Sequence, residues 1–283
     1  MRSSSILFTA FITCTACQLS ASTIAYYRFE SGNFLSDSSG NGAHLTEAGT
    51  PSQVSLPETG RGSSFSKIIP QTSTANGSTS SIFSTDRFGE ASNGSVQVTS
   101  DFTAEAYISM ATTTSGTQYI VSDWEYTEGN KRGFAFGVAG TSGVGGGSAG
   151  ALFLLLSEDG SSTGVFQTGI TISKDIDYYV GVSFDESNTS SGITFYAQDL
   201  TNNEALLSSS IGHNIASLNN ATALFRIGAM NNSTSPFQGF IDEVRISDTP
   251  LSQTQLLAVP EPSAYALIAG ALSVITLLRR RCS

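Results

Sequence analysis

Carboxylates are the richest source of candidate chemistry in this chain, and Asp242 is the most informative of them. In the run Phe240–Ile246, strict alternation places Asp242 on one face with Phe240, Val244 and Ile246. A carboxylate on an apolar face is costly unless it is paired or ligates a metal. A cation, or an ion pair with Arg28, is therefore expected beside it. A second acid cluster, Asp123, Glu125 and Glu128, surrounds Trp124. Alternation puts Asp123 and Glu125 on one face, and the simplest expectation is solvated charge beside an aromatic. His44 and His213 sit beside turn residues, with no neighbouring His or Cys to complete a zinc site. Gly145-Gly146-Gly147 lacks the Gly-Lys-Ser/Thr ending of a phosphate loop. No residue is therefore assigned a catalytic role. Six aromatics, Trp124, Tyr126, Tyr178, Tyr179, Phe195 and Tyr196, are candidates for a sugar-stacking platform. The pattern does not choose among them.

The elements that must carry these residues are short β segments. Ile24–Glu30, Phe102–Met110, Gln118–Trp124, Gly133–Ala139 and Ala151–Ser157 fit strands, as do Tyr178–Phe184, Ile193–Gln198, Phe225–Ala229 and Phe240–Ile246. In Phe102–Met110 the apolar residues Phe102, Ala104, Ala106, Ile108 and Met110 share one face, and Thr103, Glu105, Tyr107 and Ser109 share the other. That alternation predicts an antiparallel sheet covered on one side. Turn residues are dense, at Gly40-Asn41-Gly42, Asn76-Gly77, Asn93-Gly94 and Gly143–Gly150. No amphipathic helix appears beyond a turn or two at Leu251–Leu257, and Pro51–Ala91 is the least assignable stretch. The fold class is all-β, an antiparallel β-sandwich of jelly-roll type.

Composition limits what such a body can do. The N-terminus, with Arg2, the apolar run Ile6–Ala16 and then Ser20, Ala21 and Ser22, reads as a signal peptide over residues 1–22. Cys14 and Cys17 fall in it and Cys282 falls at the far end, so the body has no cysteine and must rest on a hydrophobic core. Setting aside Arg2, Arg279, Arg280, Arg281 and Glu261 leaves nine basic and 22 acidic residues, a net of −13. A surface of that sign disfavours nucleic acid as a partner.

The order of segments carries a resemblance. Tyr26-Tyr27-Arg28-Phe29-Glu30 followed by Asp37-Ser38-Ser39-Gly40-Asn41-Gly42 resembles the opening of laminin-G-like, concanavalin A-like jelly rolls. Arg226–Ala229 and then Gly239–Ser247, with Pro250-Leu251-Ser252 following, resemble their closing strands. The resemblance covers residues 23–257. It implies a structural Ca²⁺ held by Asp242 with Glu30, Asp37 and Asn41, oxygen ligands of the kind that ion prefers. It also implies a binding role toward carbohydrate or another envelope component. Relatives that cut polysaccharide carry Glu-x-Asp-x-x-Glu on one strand, and the cluster around Trp124 does not reproduce that motif. A polysaccharide-acting enzyme and a purely structural matrix protein remain the alternatives.

Residues 258–283 form a separate unit. Val-Pro-Glu-Pro-Ser is stiffened by its prolines. An uncharged apolar span follows over about 263–278, and Arg279-Arg280-Arg281 is expected to stay on the cytoplasmic side. The span predicts one C-terminal hydrophobic helix. The three-part order resembles the PEP-CTERM sorting signal, with Pro260, Glu261 and Pro262 as its motif. That resemblance implies an exosortase-type processing enzyme as partner, transient contact with the membrane, and an exported protein of the cell envelope, cell surface or extracellular matrix. Extracellular polysaccharide is the expected ligand class.

Overall fold

The computed structural model describes residues 22–29, 35–48, 52–56, 65–69, 88–91, 94–111, 116–126, 129–144, 147–230 and 235–258. The signal segment, the sorting tail with Pro260, Glu261, Pro262, Arg279, Arg280 and Arg281, and the candidate ligand Glu30 lie outside them. The described residues form fifteen strands: β1 (Thr23–Tyr27), β2 (Leu45–Ala48), β3 (Ser52–Leu56), β4 (Phe65–Ile69), β5 (Phe88–Ala91), β6 (Phe102–Met110), β7 (Gln118–Trp124), β8 (Arg132–Val138), β9 (Ala151–Leu156), β10 (Gly164–Thr171), β11 (Asp177–Phe184), β12 (Ile193–Asp199), β13 (Leu207–Ile211), β14 (Phe225–Ile227) and β15 (Gly239–Ser247). Every pairing between them is antiparallel, in two sheets. One sheet has eight strands, ordered β13-β12-β11-β6-β15-β4-β3, with β1 also pairing along β15. The other has seven, ordered β10-β9-β8-β7-β14-β5-β2.

The core between the sheets follows from the alternation in the strands. Phe102, Ala104, Ala106 and Ile108 of β6 meet Phe134 and Phe136 of β8, with Phe184, Phe195 and Phe225 filling the same layer. Phe102 and Phe134 lie 4.7 Å apart between ring centroids. Aromatic rings of this size supply most of the buried area that a cysteine-free body needs.

The outer face of the eight-stranded sheet departs from expectation. Thr103, Glu105 and Tyr107 of β6 are buried, although alternation assigns them to solvent. The chain after β15 folds back as a strap over that face. Its Leu251 and Leu256 pack on Tyr107, Tyr179 and Tyr196 in a second, smaller apolar layer. Hydrogen bonds fix the strap at both ends. Leu251 N–H donates to Thr103 Oγ1 (2.8 Å), Leu257 N–H donates to Glu105 Oε1 (2.8 Å), and Tyr107 Oη donates to the Leu257 carbonyl (2.8 Å). The turn or two expected at Leu251–Leu257 is a single 3-10 turn, Gln253–Gln255.

Candidate functional site

The closing strand does not place its acid as alternation predicts. β15 carries a bulge between Asp242 and Arg245 in its pairing with β6, and Glu243 has a φ of 50° within it. A bulge adds a residue and shifts the side-chain phase. Ile241, Val244 and Ile246 all reach the core, so Asp242 turns to the opposite face, across from Tyr107. The premise that Asp242 shares an apolar face with Val244 and Ile246 is thus corrected. Asp242 is buried there, with Oδ1 accepting the Glu243 N–H at 2.9 Å. Arg28 pairs with Glu243, 3.6 Å away.

The other described candidates for calcium serve the opening loop. Asp37 accepts four hydrogen bonds: from the N–H groups of Tyr26 (2.9 Å), Ser39 (2.8 Å) and Ala43 (3.1 Å), and from Ser39 Oγ (2.7 Å). A carboxylate offers about four lone-pair sites, and these four donors use them in tying the opening loop together. Burial would raise its pKa, but these hydrogen bonds outweigh burial and hold it below the ordinary carboxylate value. Asn41 donates Nδ2 to the carbonyls of Thr23 (2.8 Å) and Ile24 (3.0 Å). Among the described residues, no group of three or more His, Cys, Asp or Glu side chains is placed to hold a metal. His44 Nδ1 accepts the Asp37 N–H, and His213 Nε2 meets the Asp185 carbonyl against the ring of Phe184. Both histidines are structural.

Of the six aromatics considered for sugar contact, four are enclosed and Tyr178 is partly buried. Phe195 lies in the main core, Tyr178 packs against it, Tyr179 and Tyr196 lie under the strap, and Trp124 is 0% exposed. Tyr126 stands out at 50% exposure. It directly follows β7, where the chain turns toward β8, and its position is built from below. The Trp124 ring meets it edge-on at 6.2 Å between centroids. Arg132, the first residue of β8, lays its guanidinium over both rings, with Cζ 5.3 Å from the Tyr126 centroid and 5.8 Å from that of Trp124. Arg132 Nη1 donates to the Ser161 carbonyl and, at 3.3 Å, to Thr163 Oγ1.

The corner is braced on its other side by a loop that sequence reasoning did not single out. Asn219 Nδ2 donates to the Arg132 carbonyl (2.8 Å), Thr222 N–H to the Asn130 carbonyl (2.8 Å), and Asn130 Nδ2 to the Asn220 carbonyl (3.0 Å). Gly133 lets the strands close tightly here, since a Cβ would sit 3.1 Å from both the Asp123 carboxylate and the Ala221 methyl. The role of Arg132 had no sequence signal, since it depends on how the β7–β8 turn closes.

The acids at the corner are not the solvated pair that alternation suggests. Asp123 is only 3% exposed, and its Oδ1 has no hydrogen-bond partner. Burial raises its pKa to about 7, against the pull of Arg226 and with a push from Glu125. Glu125 behaves oppositely. Burial would raise it, but hydrogen bonds from Lys131 Nζ (3.0 Å) and Arg226 Nη2 (3.0 Å) hold it below the ordinary range. Arg226, buried on β14, also donates Nε to Glu90 Oε1 at 2.7 Å.

Two packed antiparallel sheets, a closing strand beside the opening one and a propped aromatic at a rim define a jelly-roll module of the lectin-like kind. Residues 83–257 match the family model Laminin_G_3, the concanavalin A-like lectin/glucanases superfamily, and the chain belongs to that superfamily. No curated protein matches it. Among solved structures it is similar to domain 4 of AbnA, a GH43 extracellular arabinanase from Geobacillus stearothermophilus, in complex with arabinotriose. That match has 16% identity, 83% of this chain, 96% of that chain and a TM-score of 0.55. It is also similar to the botulinum neurotoxin serotype G binding domain (13% identity, 82% of this chain, 49% of that chain, TM-score 0.54). The binding domain of Paraclostridial Mosquitocidal Protein 1 is a third (15%, 83%, 50%, 0.53). The chain spans about half the length of the two toxin domains. At these identities the likeness is one of fold.

Proposed function

We propose that this is an exported protein of the cell envelope whose jelly roll binds carbohydrate without cutting it. The observation that carries the reading is Tyr126, a half-exposed ring held face-outward by a buried Trp124 and a stacked Arg132. Sugar rings pack on such faces through their C–H groups, and a prebuilt platform saves the ordering cost of a mobile one. The arabinanase domain with bound arabinotriose lends the reading support by analogy of fold. The tail supplies the address: Pro260-Glu261-Pro262, the apolar span and Arg279-Arg280-Arg281 make it a substrate for an exosortase-type enzyme. The membrane is then a transient partner.

The test is a glycan array probed with the full chain purified in mild detergent, alongside Tyr126→Ala. Retention of an oligosaccharide that the variant loses supports the proposal. Retention of none by a folded protein refutes it. One observation favours a second reading, a polysaccharide-cutting enzyme. Asp123 and Glu125, two residues apart, have their pKa values pushed in opposite directions, as an acid–base pair requires. Against it, Asp123 is enclosed and Glu125 is held by two cations. Release of reducing sugar that disappears in Glu125→Gln decides for the enzyme.

A further inference from the structure

The cations of this acidic body are nearly all spoken for. Among the residues whose side chains are described, Arg28 pairs with Glu243, Lys131 with Glu125, Lys174 with Asp175, Arg226 with Glu90 and Glu125, and Arg245 with Glu105. Arg132 has no carboxylate partner among the described residues, although the body holds 22 acids to nine bases. An arginine left without an acid in such surroundings does not reflect a shortage of acids. Its place is also fixed: Nη1 is bound to Ser161 and Thr163, and the plane lies on two rings. That leaves Nη2 with no hydrogen bond to the described residues, while Nε is enclosed. A cationic N–H without an acceptor pairs well with an oxygen of a carboxylate or sulfate.

We infer that the β7–β8 corner receives a carbohydrate bearing an acid group, its ring stacked on Tyr126 and its carboxylate or sulfate taken by Arg132. The inference rests on the carbohydrate-binding reading and adds the class of sugar. Two of the neighbouring acids offer an anion little opposition. Glu125 is neutralised by Lys131 and Arg226, and Asp123 is enclosed, with a carboxyl that is partly protonated at neutral pH. Among the described residues, Arg132 is the cation at this corner without a carboxylate partner. The rest of the surface is acidic, so selection of an anion has to be local and geometric rather than by long-range attraction.

The experiment uses an array of matched pairs, each acidic oligosaccharide beside its neutralised form. Uronate oligomers are set against their methyl esters, and sulfated galactan fragments against their desulfated forms. The full chain is applied with Arg132→Gln, Arg132→Lys and Tyr126→Ala. Acid members should be retained over their neutral forms by the natural chain, and Arg132→Gln should erase the preference by about 10- to 100-fold, the worth of a charge-assisted hydrogen bond. Arg132→Lys keeps the charge and loses the planar group seated on the two rings, so it should recover only part of the preference. That variant, with the loss of preference at high salt, also serves if Arg132→Gln does not fold. The uronate and sulfate arms identify which acid is meant. Equal retention of acid and neutral members, unchanged in Arg132→Gln, overturns this inference and leaves carbohydrate binding standing. No retention in any pair overturns both.

Discussion

Replacing Glu105 by Gln should destabilise the domain by about 3 kcal/mol, and the structure shows where that loss arises. Glu105 lies at the centre of β6, facing Arg245 on one side and Gly181 on the other. Its side chain is fully enclosed and accepts four contacts. Tyr179 Oη (2.7 Å) and Leu257 N–H (2.8 Å) reach Oε1, while Arg245 reaches Oε2 through Nε (2.7 Å) and Nη2 (2.5 Å). Gly181 leaves the room for this, since a Cβ there would lie 3.0 Å from Tyr179 Oη. Breaking a buried ion pair by altering one partner costs about 3–5 kcal/mol. The lower end applies because Arg245 keeps a second acceptor, the Gln255 carbonyl at 2.7 Å. For a chain of this size each kcal/mol moves Tm by about 2–4 °C, so a fall of roughly 6–12 °C is expected in a melting scan, with a matching loss in urea unfolding. Leu257→Pro removes the strap's N–H together with the Leu257 side chain packed on the smaller layer, and should cost about 1–3 kcal/mol. The two changes together should cost less than their sum, because they break the same cluster. If Glu105→Gln unfolds within about 0.5 kcal/mol of the natural chain, the strap is not held by this carboxylate.

Two further substitutions probe the acids. Asp123 has a folded pKa raised to about 7 from 3.8, so the folded state binds the extra proton and stability should fall as pH rises between about 4 and 7. Asp123→Asn should flatten that slope and gain up to about 4 kcal/mol above pH 7; a slope unchanged in the variant contradicts the burial argument. Asp37 is the opposite case. Its pKa is held down by four donors, so its stabilisation is present above the unfolded value of about 3.9 and is lost as pH falls through the folded one. Asp37→Ala should lower Tm at pH 7 and make little difference in strong acid, while a chelator should leave Tm unchanged. A chelator-induced drop that vanishes in Asp242→Ala would instead establish calcium at the closing strand.

The sequence made the sandwich legible where a single periodicity ran unbroken. β6 and β7 begin and end at the residues that alternation assigns them, and β9, β11, β12 and β15 differ only at their ends. β10 and β13 were not legible, being half-exposed edge strands whose glycines and serines carry no apolar rhythm. β3 and β4 lie in the stretch Pro51–Ala91 that the sequence left unassigned. Asp242 failed differently, because a one-residue bulge at Glu243 reverses every phase argument before it and leaves no compositional mark. The buried outer face of β6 was missed because periodicity reports which face is polar and not what later folds over it. Among the aromatics only three-dimensional exposure could separate Tyr126 from Tyr179 or Tyr196.

The central claim, that the Tyr126 corner is the carbohydrate site, has a built-in reporter. The chain contains one tryptophan, Trp124, and its ring touches both Tyr126 and Arg132. Titrating the full chain with a glycan retained on the array should change the intensity or wavelength of that single emission, with the same midpoint as calorimetry, and Tyr126→Ala should abolish both signals. Binding seen by calorimetry with Trp124 emission unmoved and Tyr126→Ala unaffected would place the ligand elsewhere and contradict the account.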